Sequence, residues 1–370
     1  MGKDNLGTLA KEKLMILAKE MDFRLEKYWD EEIKNGFGFN ETQKALVRKM
    51  ILHAKEHNLR LAKRARAGFV LYGYLLGQEI KTEKTQKLKI MNENIWRVCE
   101  AVEIVHTALL MHDDFMDQDL VRRGKPTTQV YFGEGDEHFG EAMAVNVGDA
   151  VLCLGFERLL NSGFEAEKTK KVMQQMLRGI TNTAYGQAYD VGLSKMGELT
   201  EEKVLNLHRA KTGIYTYDNP LIIGGILAGL SEEALKVLRE YSVDGGIAFQ
   251  LQDDVLGVFG DEEKTGKSAN SDLLQGKVTL LVVKTLELGT EKQKEDLLRV
   301  WGKLRAKSEN IELAKKAIKE SGAFEYSIDV AKKLNLRSIE TIQKLREMCL
   351  NNEAIDYLEG ISRYMVEREV

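Results

Sequence analysis

The sequence predicts an all-α protein, on three observations. Apolar residues recur at three- and four-residue steps almost throughout the 370 residues, strand-like alternation is scarce, and only two prolines, Pro126 and Pro220, occur. No Ser/Gly/Pro-rich linker, low-complexity tract or short-period repeat divides the chain. One domain over 1–370 with about ten or more helices is therefore expected at ordinary helix lengths. Taken in order, "MDFRLEKYWDEEIKNGFGF" is amphipathic helix with no sign of chemistry, within an N-terminal helical segment 1–40. "FVLYGYLLG" reads as core, with two readings open for Tyr72 and Tyr74, aromatic packing or the floor of a cavity. "HTALLMHDD" is a helix that runs from apolar to acidic, and "NPLIIGGILAGL" is too short and too glycine-rich to span a bilayer. In "EDLLRVWGKL", Leu297, Leu298, Trp301 and Leu304 form one apolar stripe, "SGAF" at Ser321 to Phe324 breaks two helices, and amphipathic helices run on to the C-terminus.

Composition limits the function. With 43% hydrophobic residues the chain can bury a substantial core. A net charge of -4 gives no bulk attraction to nucleic acid, and no basic stripe interleaves with aromatics, so no nucleic-acid partner is expected. Cys99, Cys153 and Cys349 have no paired spacing, which suits a reducing compartment and supports neither a disulfide framework nor a zinc site. The start "MGKDNLGTLAKEK" has no apolar signal core, and Leu6 breaks the myristoylation pattern. A cytoplasmic protein with no transmembrane segment is expected.

Two acidic blocks carry the chemistry. "HDDFMD" places Asp113, Asp114 and Asp117 behind one apolar run, and "FQLQDDVLGVFGD" places Asp253, Asp254 and Asp261 behind another. On a helix, Asp113 and Asp117 are four apart and share a face, so their charges repel unless a cation sits between them. Such carboxylates suit Mg²⁺, a hard ion that keeps several waters and completes its shell with phosphate oxygens. One Asp-Asp pair alone is ordinarily a solvated acidic face; two behind apolar runs point to metal. Cations follow closely: Lys63, Arg64 and Arg66 in "LAKRAR", Arg122 and Arg123, Lys211 in "AKTGIYT", and Lys267 and Lys277 in "TGKSANSDLLQGK". Arginine forks and lysine point charges are what phosphate oxygens need.

These blocks, "KRAR", "HTALLMHDDFMDQDLVRRG", "GQAYD", "KTGIYT" and "FQLQDDVLGVFGDEEKTGKSANSDLLQGK", stand in the order of a known family. From about Lys63 onward the chain resembles the trans-isoprenyl diphosphate synthases, similar to geranylgeranyl and other short-chain polyprenyl diphosphate synthases. The resemblance implies an isoprenoid-synthase-type helical bundle around a deep central cavity, with 41–370 as catalytic core, the two aspartate motifs facing each other, and a homodimer. It implies Mg²⁺ as cofactor, about three ions per site, and isopentenyl diphosphate and an allylic diphosphate as substrates. Asp113, Asp117 and Asp253 would be metal ligands, with Asp114, Asp254 and Asp190 supporting. Lys211 and Lys267 would grip the allylic diphosphate, with Arg122 toward that side and Lys277 as a further substrate-binding cation. Lys63, Arg66, His106 and Arg123 would hold isopentenyl diphosphate, and Thr212 and Gln250 would face the reacting carbons.

Three departures stand out. Ala62 and Ala67 flank the first basic block where the family has glycines before it and a proline after it, and Gly257 stands where many members have a third aspartate of the second motif. The N-terminal segment adds nothing to the motifs. A class I terpene cyclase would need an Asn/Ser/Glu metal triad that "QDDVLGVFGDEEK" lacks, and a non-catalytic regulatory subunit would have lost motif aspartates. Ala108 and Leu109, one helical turn before Asp113, with Val105 a turn deeper, put nothing large in the path of a growing chain. A C20 product, with C25 or longer as the alternative, is expected.

Overall fold

The structure, a computed structural model, describes residues 5–35, 40–78, 92–193, 197, 199–260 and 270–366. Its helices are α1 (Leu6–Glu32), α2 (Glu41–Leu59), α3 (Ala65–Leu75), α4 (Glu93–Met116), α5 (Thr128–Phe132), α6 (Glu137–Leu160), α7 (Ala166–Leu193), α8 (Glu201–His208), α9 (Asn219–Ala228), α10 (Glu232–Phe259), α11 (Ser271–Leu274), α12 (Leu280–Leu288), α13 (Glu291–Leu298), α14 (Ser308–Glu320), α15 (Ala323–Glu347) and α16 (Asn352–Val366). A π-helical segment, Arg209–Asp218, joins α8 to α9. The two-residue strands β1 (Val121–Arg122) and β2 (Lys125–Pro126) are the only ones among the described residues. The all-α expectation holds.

The chain forms two compact units. The first comprises Lys11–Met176 and Pro220–Leu230, and the second Met1–Ala10, Leu177–Asn219 and Ser231–Val370. In the first, α4 is the central helix. Asn92 caps its start by accepting from the Asn94 N–H, and Ile95, Trp96, Cys99, Ala101, Ile104, Ala108 and Met111 are fully buried. Gly155 lets α6 approach α4, since a Cβ there would lie 2.5 Å from Val105 Cγ2. In the second unit, α10 plays the same part. Ser231 caps it by accepting from the Ala234 N–H, and the Tyr241 hydroxyl donates to the Leu358 carbonyl at 2.8 Å while the Ser338 hydroxyl donates to the Tyr241 carbonyl at 3.0 Å.

The break at "SGAF" is where α14 ends and α15 begins, with Gly322 at φ 84°. The stripe in "EDLLRVWGKL" is corrected. Helix α13 stops at Leu298, and Gly302 takes φ 73°, a left-handed conformation that reverses the chain. Leu297 is therefore core while Leu298 and Leu304 are exposed. One described helix, α6, is long and apolar enough by length and composition alone to cross a membrane, and 39% of that stretch is buried inside the structure.

Candidate active site

The first aspartate motif ends the buried run of α4, and the second lies within the last turns of α10. On α4, Asp114 is fully buried, Asp113 and Asp117 are half-buried, and the Asp117 N–H donates to the Asp113 carbonyl at 2.8 Å, which keeps both on one helical turn. The strands β1 and β2 deliver Arg122. Their two turn residues, Arg123 at φ 52° and Gly124 at φ 74°, have the paired positive φ of the hairpin turn whose twist matches the strands. Arg122 Nε donates to Asp114 Oδ1, and Arg122 Nη2 lies 3.5 Å from Asp113 Oδ2. Arg60 braces the hairpin, donating to the carbonyls of Arg122 at 3.1 Å and Pro126 at 2.8 Å. Behind the motif, His57 Nε2 lies 3.6 Å from Asp114 Oδ2. Burial lowers the His57 pKa and keeps the ring neutral.

A second cluster of the same unit is cationic. Arg66 Nη1 lies 2.9 Å from His106 Nε2. A guanidinium cannot accept, so it donates, and the neutral ring carries its proton on Nδ1. Burial, then the charges of Arg66, Arg123, Arg122 and Arg64, hold His106 well below the usual histidine range. The Arg123 guanidinium is pushed down to about 10 by burial and by Arg122 and Arg64. Crowded like charges of this kind are relieved by a bound anion.

The missing glycines and proline have a replacement. Arg64 takes the left-handed φ of 53° and is buried, donating to Asp22 Oδ1 at 2.8 Å, to Glu103 Oε2 at 3.1 Å and to the Asn58 carbonyl at 2.6 Å. Glu103 Oε1 accepts from the Ala67 N–H at 3.1 Å. The Asn58 amide donates to Thr107 Oγ1 at 2.6 Å and to the Glu103 carbonyl at 3.2 Å, and accepts from Trp29 Nε1 at 2.9 Å. The N-terminal helix α1 is thus not idle, because its Asp22 and Trp29 tie down the turn that carries Lys63 and leads into the first turn of α3 with Arg66. Nothing in the spacing of the basic block foretold this.

In the second unit, α10 carries Asp253, half-buried, and Asp254, buried. His208 Nε2 lies 2.9 Å from Asp254 Oδ2, and Gln250 Nε2 donates to Asp254 Oδ1 at 2.8 Å. Thr212 Oγ1 donates to Gln250 Oε1 at 2.7 Å, and Lys211 Nζ donates to Asp190 Oδ2 at 2.8 Å. Lys211 and Thr212 lie in the π-helical segment, a rare form that recurs at functional sites. Glycines bring it close to its neighbours: a Cβ on Gly246 would lie 2.4 Å from Gly213 Cα, and one on Gly186 3.0 Å from the Lys211 nitrogen. Lys277 Nζ lies 3.6 Å from Asp272 Oδ1. Lys267 and Asp261 lie outside the described residues.

Of the other expected residues, Lys63 is exposed, Ala108 is fully buried, Val105 packs against Gly155, Leu109 is half-buried, Tyr72 is buried, and Tyr74 meets Phe164 edge-on at 6.0 Å. His57 and His208, one facing the second aspartate of each motif, went unread in the sequence. His208 stands three residues before Lys211, and that closeness was the one available signal.

The carboxylates fit Mg²⁺. Among the described residues no three His, Cys, Asp or Glu side chains gather into a metal-holding group. The half-exposed Asp113 and Asp117, and Asp253 in the other unit, are the smaller donor sets suited to an ion that keeps waters and takes phosphate oxygens.

The polyprenyl synthetase family pattern matches residues 48–320. A geranylgeranyl diphosphate synthase of Saccharolobus solfataricus is 34% identical over 279 residues, 75% of this chain and 80% of that protein. A geranylfarnesyl diphosphate synthase of Aeropyrum pernix is 31% identical over 271 residues, 72% of this chain and 81% of that protein. The crystal structure of a geranylgeranyl pyrophosphate synthase from Corynebacterium glutamicum, complexed with isoprenyl diphosphate and magnesium, superposes with a TM-score of 0.82 at 26% identity over 100% of both chains. With its helical fold, its two aspartate motifs and its matched length, the chain belongs to the polyprenyl synthetase family of trans-prenyltransferases.

Proposed function

We propose that this chain condenses isopentenyl diphosphate with an allylic diphosphate in the presence of Mg²⁺ to give an all-trans product, chiefly C20, with C25 or longer as the alternative. The observation that carries the reading is the build of the α4 motif: Asp114 buried against Arg122, with Asp113 and Asp117 half-exposed on the same turn. The names of the Saccharolobus and Aeropyrum relatives support the product range, and the Corynebacterium complex supports the metal and the ligand class.

Bound Mg²⁺ supplies the charge that stabilises the leaving diphosphate as the carbon–oxygen bond breaks. Asp113, Asp117 and Asp253 hold it, and Asp114, Asp254 and Asp190 fix the groups around them. Lys211, Lys267 and Lys277, with Arg122, take the allylic diphosphate. Lys63, Arg66, Arg123 and His106 take the diphosphate of isopentenyl diphosphate, with the imidazole neutral. Thr212 and Gln250 face the reacting carbons, where water must be excluded because it would trap the allyl cation. The departed diphosphate takes the final proton, so no side chain acts as general base. The catalytic core spans 41–370, and two chains pair as a homodimer, for which the exposed Phe139, Val145 and Leu160 of α6 are the supporting feature.

The test is Asp113→Ala. Turnover should be lost with the helical circular dichroism intact, and EDTA should do the same to the parent; a variant that keeps most of its activity removes the metal reading.

A further inference from the structure

Asp253 and Gly257 stand four apart on α10, as Asp113 and Asp117 do at the end of α4, so the second motif has one carboxylate where the first has two. The place beside Gly257 is filled from elsewhere. A Cβ built on Gly257 would lie 2.3 Å from Asp272 Oδ2 and 3.2 Å from Asp272 Cγ. Side chains four apart on a helix have Cβ atoms about 5–6 Å apart on one face. Asp272 Oδ2 therefore occupies the position a side chain at 257 would take, one turn along from Asp253. We propose that Asp272 supplies the second carboxylate of the second metal-holding pair, donating to the Mg²⁺ that Asp253 holds. This rests on the metal reading of Asp253.

The backbone around Asp272 is built to present it. The Asn270 N–H donates to the Gly257 carbonyl at 3.1 Å, which pins the start of α11 to α10, and the Lys277 N–H donates to the Asp272 carbonyl at 2.9 Å. Leu273, the next residue, is buried in the core with Val255 and Val258 of α10. Lys277 Nζ approaches Oδ1, while Oδ2 is the oxygen turned to α10. A carboxylate at the place of a side chain one turn from Asp253 adds like-charge repulsion that a divalent cation would remove. Glycine at 257 and aspartate at 272 then form one device, because any side chain at 257 would displace the carboxylate.

The experiment is Mn²⁺ titration of the full chain with inorganic diphosphate present, followed by electron paramagnetic resonance. Asp253→Ala defines the binding in question by removing it. Asp272→Asn and Asp272→Ala should each weaken that binding by about tenfold. Gly257→Ala, which keeps every carboxylate but pushes Asp272 away, should weaken it too. The double variant Gly257→Asp with Asp272→Ala returns a carboxylate to the same place and should restore Mn²⁺ binding to within about threefold of the parent, which a purely structural role for Asp272 would not allow. Parental binding in Asp272→Asn, or a double variant as weak as Asp272→Ala, overturns the proposal. Parental binding in Asp253→Ala overturns the metal reading beneath it instead.

Discussion

His106 accepts a hydrogen bond of 2.9 Å from the guanidinium of Arg66, in a half-buried setting where Arg123, Arg122 and Arg64 add positive charge. A neutral imidazole fixed in this way holds the Arg66 guanidinium in place and adds no further charge to the cluster. Arg66→Ala and His106→Ala should therefore raise the Michaelis constant for isopentenyl diphosphate by about 10- to 100-fold, the worth of one charge-assisted contact, with a smaller effect on the allylic partner. Lys211→Ala should show the opposite preference. Steady-state kinetics with each substrate varied in turn checks both, and equal effects on the two substrates would count against the assignment.

Stability should fall in mild acid. Burial and the neighbouring His57 push His53 down to about 3, and His106 is lowered in the same direction. Both rings stay neutral in the folded state while the unfolded chain takes up protons below the ordinary histidine value of about 6.5. The unfolded state thus binds more protons as pH drops from 6.5 to 5, and His53 costs about 1 kcal/mol per pH unit there, with His106 acting in the same direction. Urea unfolding at pH 7.5 and 5.5 measures this, and His53→Phe should reduce the dependence by the share of that ring. Equal stability at both values would contradict it.

The Asn58 amide joins Trp29, Thr107 and Glu103 in a buried network. Asn58→Ala leaves those groups without their partner, and a loss of about 2–4 kcal/mol is expected in denaturant titration. The Michaelis constant for isopentenyl diphosphate should rise in the variant, since loosening the network shifts the Asn58 backbone carbonyl that accepts from Arg64, and the start of α3 bearing Arg66 follows it. A variant that loses stability with unchanged kinetics would separate the network from the substrate loop.

The fold class and the family were legible because helical periodicity and two spaced aspartate motifs are local patterns, as "HTALLMHDDFMD" shows. What stayed hidden is contact between distant residues. His57 reaches Asp114 and Asp22 reaches Arg64 across 57 and 42 positions, and no local period encodes that. The end of α13 at Leu298 was missed for another reason: the apolar spacing runs on past it, and the φ of Gly302 overrides the spacing. The π-helical segment gave no periodic signature, and Gly257 made sense only once Asp272 was seen beside it.

Ala108 is fully buried on α4, one helical turn before Asp113. Ala108→Phe should shorten the main product toward C15, read by chromatography of the dephosphorylated products. An unchanged product would place the floor of the site on another helix.

The most direct test is incubation of the parent with isopentenyl diphosphate and farnesyl diphosphate, with Mg²⁺ or with EDTA. One further addition should give a C20 alcohol after dephosphorylation with Mg²⁺ and none with EDTA. Elongation that persists in EDTA, or no elongation with this or any shorter allylic primer, would contradict the account.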